Sequence, residues 1–155
     1  MPRILFVCHG NICRSPMAEF ILKKMAEDAG RAGEFVIASA ATSREEIGND
    51  IYPPAQACLR AHGVPFSARA ARQVAAADYD AFDLIIVMDA MNLRNLRRLI
   101  PADPEGKIRK LLPGRDVADP WYTGDFERTF ADLAAGCKQL LSADIFNAGT
   151  ADPHA

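Results

Sequence analysis

The stretch Cys8-His9-Gly10-Asn11-Ile12-Cys13-Arg14, followed directly by Ser15-Pro16, puts a sulfur nucleophile and a guanidinium at the two ends of one short loop. The loop lies between an apolar run, Ile4-Leu5-Phe6-Val7, and a segment whose Ala18, Ile21, Leu22 and Met25 recur at helical spacing. A turn from a strand into a helix N-terminus directs successive backbone N–H groups inward and makes an anion nest. The helix dipole adds roughly half a positive charge at the same place. Arg14 can hold two oxygens of one phosphate by paired hydrogen bonds, which lysine cannot reproduce. Fields that attract phosphate also favour a thiolate, and cysteines at helix N-termini beside arginine fall from a pKa of about 8.5 to below about 7. Cys8 is therefore expected to be a nucleophile aimed at phosphorus, with His9, Gly10, Asn11, Ile12, Cys13, Arg14 and Ser15 as the phosphate-binding loop. Gly10 is expected to allow a tight turn and Asn11 to take unusual backbone angles. The loop is not that of nucleotide hydrolases, because no Gly-Lys-Ser/Thr follows.

Sulfur attack on a phosphate ester must expel an alkoxide or phenolate, and a phenol of pKa about 10 leaves poorly without a proton. A nearby carboxylic acid should supply it and then act as base on the water that hydrolyses the thiophosphate. Asp119, in Asp116-Val117-Ala118-Asp119-Pro120-Trp121-Tyr122-Thr123-Gly124-Asp125, is the expected acid. Asp-Pro also starts turns; the pairing with the Cys8 loop is what favours chemistry. Asp116 stands in reserve, and Asp125 is expected to cap the last helix. Trp121 and Tyr122 are expected in an exposed loop, as the wall against a flat aromatic substrate. This chemistry needs no metal or other cofactor, and none is expected, since no metal-ligand spacing of His, Cys and Asp is visible.

These groups must be held by a fold, and the pattern supplies one. The strands are expected at Ile4–Val7, Phe35–Ala38, within Phe82–Met88, and at Ile108–Leu112. Helices are expected from Ser15-Pro16, with Ser15 as N-cap, to Gly30 and Gly33; from Pro53-Pro54 to Gly63; over Asn92 to Ile100; and through Phe126, Phe130, Leu133, Cys137, Leu140 and Leu141. Alternating strands and helices imply a parallel sheet covered on both faces, with ligands at the carboxyl ends of the strands. The 155 residues suit one domain, 1–146, with 147–155 as a flexible C-terminal tail. A net charge of -2 provides no field for nucleic acid, and the N-terminal apolar run is too short to enter a membrane. A cytoplasmic protein with free thiols is expected, with Cys58 and Cys137 in the core.

The stretch Val7-Cys8-His9-Gly10-Asn11-Ile12-Cys13-Arg14-Ser15-Pro16-Met17-Ala18-Glu19 resembles the signature loop of the low-molecular-weight protein tyrosine phosphatase family. Asp119-Pro120-Trp121-Tyr122 resembles its acid loop. Ser39-Ala40-Ala41, His62-Gly63, Ala71-Arg72-Gln73-Val74 and Met88-Asp89 fall between them in family order. The resemblance spans nearly all of residues 3–142. It implies a single-domain, four-stranded parallel sheet flanked by helices on both faces (flavodoxin-like), and metal-free hydrolysis of phosphotyrosine proteins and small aryl phosphate esters through a cysteinyl-phosphate. Phosphate and other oxyanions would compete. By the same match Cys8 is the nucleophile, Arg14 the clamp and Asp119 the acid; Asn11, Ser15 and Ser39 support the loop, and Ser15 also donates to the Cys8 thiolate. Cys13 matches the cysteine that pairs reversibly with Cys8 on oxidation, and a thiol beside a reactive thiolate could resolve its sulfenic acid; simple packing is the other reading.

Where the family often carries an aromatic wall residue, this chain has Ser43-Arg44-Glu45-Glu46, with Glu45 nearest that position. Either Trp121, Tyr122 or Tyr52 replaces that wall, or the pocket takes less aromatic esters. Three rivals stand beside the phosphatase reading. A thioredoxin-coupled arsenate reductase needs a downstream cysteine relay, against which Cys58 and Cys137 are far apart in sequence. A protein-arginine phosphatase resembles a loop with Thr where this chain has Ile12. The last rival is a phosphate-binding module without turnover.

Overall fold

The structure is a computed structural model that describes residues 1–143. The expected domain end at 146 and the tail 147–155 lie outside the described residues. Among the described residues, no helix is long and apolar enough to cross a membrane.

Four strands, β1 (Arg3–Cys8), β2 (Val36–Ala41), β3 (Leu84–Val87) and β4 (Ile108–Lys110), form one parallel sheet in the order β2-β1-β3-β4. The helices are α1 (Arg14–Asp28), α2 (Pro53–Ala61), α3 (Asp78–Ala81), α4 (Ala90–Leu99), α5 (Pro120–Thr123) and α6 (Phe126–Ser142). The single-domain α/β sheet is as expected. Residues of β1 alternate between two cores, as the strand period dictates. Ile4, Phe6 and Cys8 join residues of α1, α2 and α6, whereas Leu5 and Val7 join Leu96 of α4 with Ile85 and Val87. Because both faces are covered, β1 and β3 read as continuous apolar runs. β1 lies between β2 and β3, so the chain leaves it on one side and returns on the other. Its carboxyl end, at Cys8, is therefore the switch point where such sheets bind ligands.

Among the boundaries that differ from expectation, two bear on the site. Cys13, not Ser15, is the N-cap of α1, and no side chain caps it. The Ser15 hydroxyl is committed elsewhere: it accepts from Asn11 Nδ2 at 2.8 Å and donates to Ala40 O at 3.4 Å. Pro16 is tolerated because N–H groups of the first turn have no helical partner. β2 runs on to Ala41, because parallel pairing continues until Cys8 faces Ala41, and Ser39 therefore sits inside the strand. Near the other end of the chain, α6 lies so close to the segment after β4 that a Cβ on Gly136 would collide with Leu111. Asp125 caps α6, accepting from Arg128 N at 3.0 Å, as expected.

Candidate active site

The loop from Cys8 to Arg14 is held from outside through its carbonyl oxygens. Thr42 N–H donates to Cys8 O (2.9 Å), Ser43 N–H to His9 O (3.1 Å), Tyr52 N–H to Ile12 O (2.9 Å) and Met17 N–H to Cys13 O (3.0 Å). The Arg69 guanidinium donates to Asn11 O at 2.5 Å. In a planar trans peptide the N–H points opposite to the C=O. Outward carbonyls on residues 8, 9, 11, 12 and 13 therefore turn the amides of 9, 10, 12, 13 and 14 into the loop. The result is a nest of donors with Cys8 at its base, the geometry that receives an oxyanion.

Asn11 is the pivot of this arrangement. It is fully buried and has φ 60, the one non-glycine residue with a positive φ among those described. Its Nδ2 donates to Ser15 Oγ (2.8 Å) and Ser39 Oγ (2.9 Å), and its Oδ1 accepts from Arg72 N at 3.2 Å. Ser39 in turn donates to Glu19 at 2.6 Å. Asn tolerates the left-handed region better than other side chains, so the unusual backbone falls on Asn11 as expected. Gly10 does not take a positive φ. Its small size serves a close approach, since a Cβ there would stand 3.3 Å from the Glu46 side chain. The Cys8 sulfur lies 3.1 Å from Ser15 Oγ and accepts from Ser15 N–H at 3.4 Å.

Arg14 is 2% exposed. Its Nη1 donates to Asp89 Oδ2 (2.7 Å) and Val117 O (2.8 Å), and Nη2 approaches Asp119 Oδ2 at 3.4 Å. Burial works against its charge, but Cys8, the Asp89 hydrogen bond and the Asp119 and Asp89 carboxylates outweigh it and raise the guanidinium above its ordinary pKa. Burial also pushes the Cys13 thiol up, and the charges of Cys8 and Asp119 push it further. Cys13 thus stays a neutral thiol, packed with Ile12 and Ala71.

An open cleft lies above the loop. It is lined by Cys8, His9, Gly10, Ile12, Cys13 and Arg14 from the loop, and by Asp119, Trp121 and Tyr122 from the facing segment. The expected nucleophile, clamp and acid therefore share one cavity, and Asn11, Ser15 and Ser39 lie outside its lining. Asp119 also caps α5, accepting from Trp121 N–H at 3.0 Å, so its turn-forming role and its place in the cleft coexist. Trp121 and Tyr122 belong to that short helix rather than to a loop, and both are exposed. Tyr52 does not line the cleft; its ring backs Trp121 at a centroid distance of 4.8 Å. Asp116, the reserve acid, is turned away. It pairs with Lys110 at 2.6 Å, which holds its carboxyl below the usual carboxylate pKa. Glu45 and Glu46 also line the cleft, and Glu45 pairs with His9 at 2.9 Å. At the position of the family's aromatic residue the cleft is thus bordered by acidic side chains.

Three residues hold the loop in ways that sequence reasoning did not assign. Asp89 holds Arg14 and caps α4 by accepting from Asn92 N–H at 2.7 Å; only the capping half carried a local signal. Arg69 and Arg72 reach Asn11 from about sixty residues away, and no spacing announces that. Cys58 and Cys137 are buried away from the cleft, as expected.

The sequence profile described as low molecular weight phosphotyrosine protein phosphatase matches residues 3–148. The low molecular weight protein-tyrosine-phosphatase YfkJ of Bacillus subtilis is 42% identical over 149 residues, 92% of this chain and 96% of that protein. The human low molecular weight phosphotyrosine protein phosphatase is 38% identical over 147 residues, covering 89% of this chain and 92% of its own. The crystal structure of YfkJ superimposes with a TM-score of 0.89 over 95% of this chain and 96% of that one, at 40% identity. Wzb of Vibrio vulnificus, in complex with benzylphosphonate, superimposes with a TM-score of 0.78 over 90% of this chain and 96% of its own, at 26% identity.

Proposed function

This chain belongs to the low molecular weight phosphotyrosine protein phosphatase family, and from that premise we propose which of its residues carry the reaction. The protein is a protein-tyrosine-phosphatase, a phosphoric monoester hydrolase working through a cysteinyl-phosphate. The observation that carries the residue assignment is the nest of inward amides with Cys8 at its base and Arg14 and Asp119 at its rim.

In this assignment the Cys8 thiolate attacks phosphorus while the amides of residues 9, 10, 12, 13 and 14 hold the phosphoryl oxygens. Asp89 and Val117 O occupy Arg14 Nη1, which leaves Nη2 and Nε for paired hydrogen bonds to phosphate. The S–P bond forms as the P–O bond to the leaving group breaks, and protonated Asp119 delivers its proton to that oxygen. Asp119, now a carboxylate, takes a proton from water; water oxygen attacks phosphorus, the S–P bond breaks, and inorganic phosphate and the Cys8 thiolate are released. Donors fixed before the charge develops are worth far more than donors in water, and the outside anchoring of the loop supports that role.

The substrates are phosphotyrosine-containing proteins and small aryl phosphate esters, with phosphate and other oxyanions as competitors. Trp121 and Tyr122 form the aromatic wall, and the His9–Glu45 pair faces them. Wzb's ligand benzylphosphonate, an aromatic ring joined to a tetrahedral oxyanion, is the chemistry such a cleft accepts. The free buried thiols support a cytoplasmic location. Redox sensitivity rests on Cys8 and Cys13. Peroxide converts the Cys8 thiolate to a sulfenic acid, and the Cys13 thiol then displaces water to form the disulfide.

A peptide panel carrying phosphotyrosine, phosphoserine or phosphoarginine, run on the wild type and on Cys8→Ser, tests the assignment. Turnover of phosphotyrosine by the wild type alone is the expected result. Substantial activity in Cys8→Ser would remove Cys8 as nucleophile, and preference for phosphoarginine would transfer the substrate class.

A further inference from the structure

Away from the cleft, three side chains of metal-binding chemistry converge. Cys58 on α2 and His62 at its C-cap stand one turn apart, four residues being the spacing that places two side chains on one helix face. Glu127, the second residue of α6, reaches both. Its Oε2 lies 3.3 Å from Cys58 Sγ and its Oε1 2.7 Å from His62 Nε2. One sulfur, one nitrogen and one carboxylate oxygen all fall within 4.8 Å of one another. The His62 ring does not swing freely, because it stacks on Phe130 at 3.8 Å with planes 10° apart. Cys58 is 5% exposed, while His62 and Glu127 reach solvent. The donors thus form a cup with a buried sulfur floor and an open mouth.

We propose that Cys58, His62 and Glu127 bind one Zn²⁺-type divalent cation that staples α2 to α6. Thiolate, imidazole and carboxylate are the ligands that zinc takes, with water completing the tetrahedron, and they are not the all-oxygen set of calcium or magnesium. Ligand bonds of about 2.0–2.3 Å set donors about 3.4–3.6 Å apart around a tetrahedral ion. The hydrogen-bonded contacts need only open by a fraction of an ångström to reach that, and the exposed Glu127 carboxylate lies where it can move. On binding, the Cys58 S–H bond breaks, a sulfur–metal bond forms and the proton passes to solvent. The proton that His62 Nε2 shares with Glu127 moves to Nδ1, freeing the Nε2 lone pair for the metal, and Glu127 exchanges its hydrogen bonds for a metal bond. Before a cation arrives, the Cys58 S–H donates to Glu127 Oε2 at 3.3 Å. A dication offsets the Glu127 charge and favours the thiolate outright. The staple also has a route to the cleft, since Phe126 beside Glu127 packs near Tyr52, whose ring backs Trp121.

The test uses the full chain as Cys8→Ser, so that the nucleophile sulfur cannot supply a ligand. Titration with Co²⁺ should give a thiolate-to-cobalt absorption band saturating at one ion per chain, and Zn²⁺ should displace it. Saturating Zn²⁺ should raise the melting temperature by several degrees over chelator-treated protein. Glu127→Gln and His62→Ala should each weaken Co²⁺ binding about tenfold or more, and Cys58→Ser should abolish the band. If Cys58→Ser fails to fold, the two variants at exposed positions decide. Absence of any band or melting shift, or a band that survives unchanged in both Glu127→Gln and His62→Ala, overturns the site.

Discussion

Residues 8–15 and residues 116–125 face each other across one cleft, but only the first set is fixed from all sides. In the loop, Asn11 alone makes hydrogen bonds to Ser15, Ser39, Arg69 and Arg72, and the carbonyls of its neighbours are tied to Thr42, Ser43, Tyr52 and Met17. The acid segment is pinned at Val117, whose N–H donates to Met88 O at 2.9 Å, and at Asp125, which caps α6. Between those pins Trp121 is 53% and Tyr122 81% exposed. The contrast matches the two tasks. Donors that stabilise developing charge act through being already in place. A proton donor and a substrate wall must also admit the ester and release the alcohol, which favours a segment with fewer fixed contacts.

If the loop is the preorganised half, damage there should exceed damage across the cleft. Arg14→Lys should lower kcat/KM about 10³-fold, because the forked donors are replaced by a point charge. Steady-state kinetics on para-nitrophenyl phosphate measure it, and a loss under tenfold would mean that the amides alone hold the phosphate. Asp119→Ala should slow phenyl phosphate about 10²–10³-fold, as loss of a general acid does. It should slow para-nitrophenyl phosphate much less, because that leaving group needs less help. Equal losses on both esters would make Asp119 a positioning residue. Asn11→Ala touches no substrate, yet it strands the Ser15 and Ser39 hydroxyls and puts Ala at φ 60. Misplacing the nest should reduce kcat about 10–10²-fold, and denaturant titration should show a stability loss of about 1–3 kcal/mol. Wild-type stability with lowered kcat would contradict a role through loop shape.

The same contrast governs how much could be read from sequence. The loop is contiguous, so Cys8, Asn11 and Arg14 announce themselves together, and β1 and α1 on either side have strong patterns. Asp119 stood out as a candidate because Pro120, Trp121 and Gly124 mark an unusual turn, and the fold places it in the cleft. What the sequence hid is long-range. Ser15 has the look of an N-cap, but the fold brings Asn11 Nδ2 and Ala40 O to its hydroxyl, and the cap shifts to Cys13. Asp89 and Arg69 act on the loop only after the sheet has closed, so their partners have no fixed spacing. Glu45 lines the cleft, and its pairing with His9, which depends on how two loops meet, carried no signal in the sequence.

Within the acid segment, two adjacent aromatics sharpen the comparison further. Tyr122 is among the most exposed large side chains described, whereas Trp121 rests on Tyr52. Tyr122→Ala should raise KM for aryl phosphates only a few-fold, with kcat and melting temperature unchanged, since it removes ring contact with substrate and little else. Trp121→Ala should raise KM similarly but also lower stability by about 0.5–1.5 kcal/mol through the lost ring pair. Kinetics and melting curves on both variants separate the two effects. A kcat loss in Tyr122→Ala as large as in Asn11→Ala would mean that this wall is itself preorganised, and the division between a fixed cradle and a looser acid segment would fail.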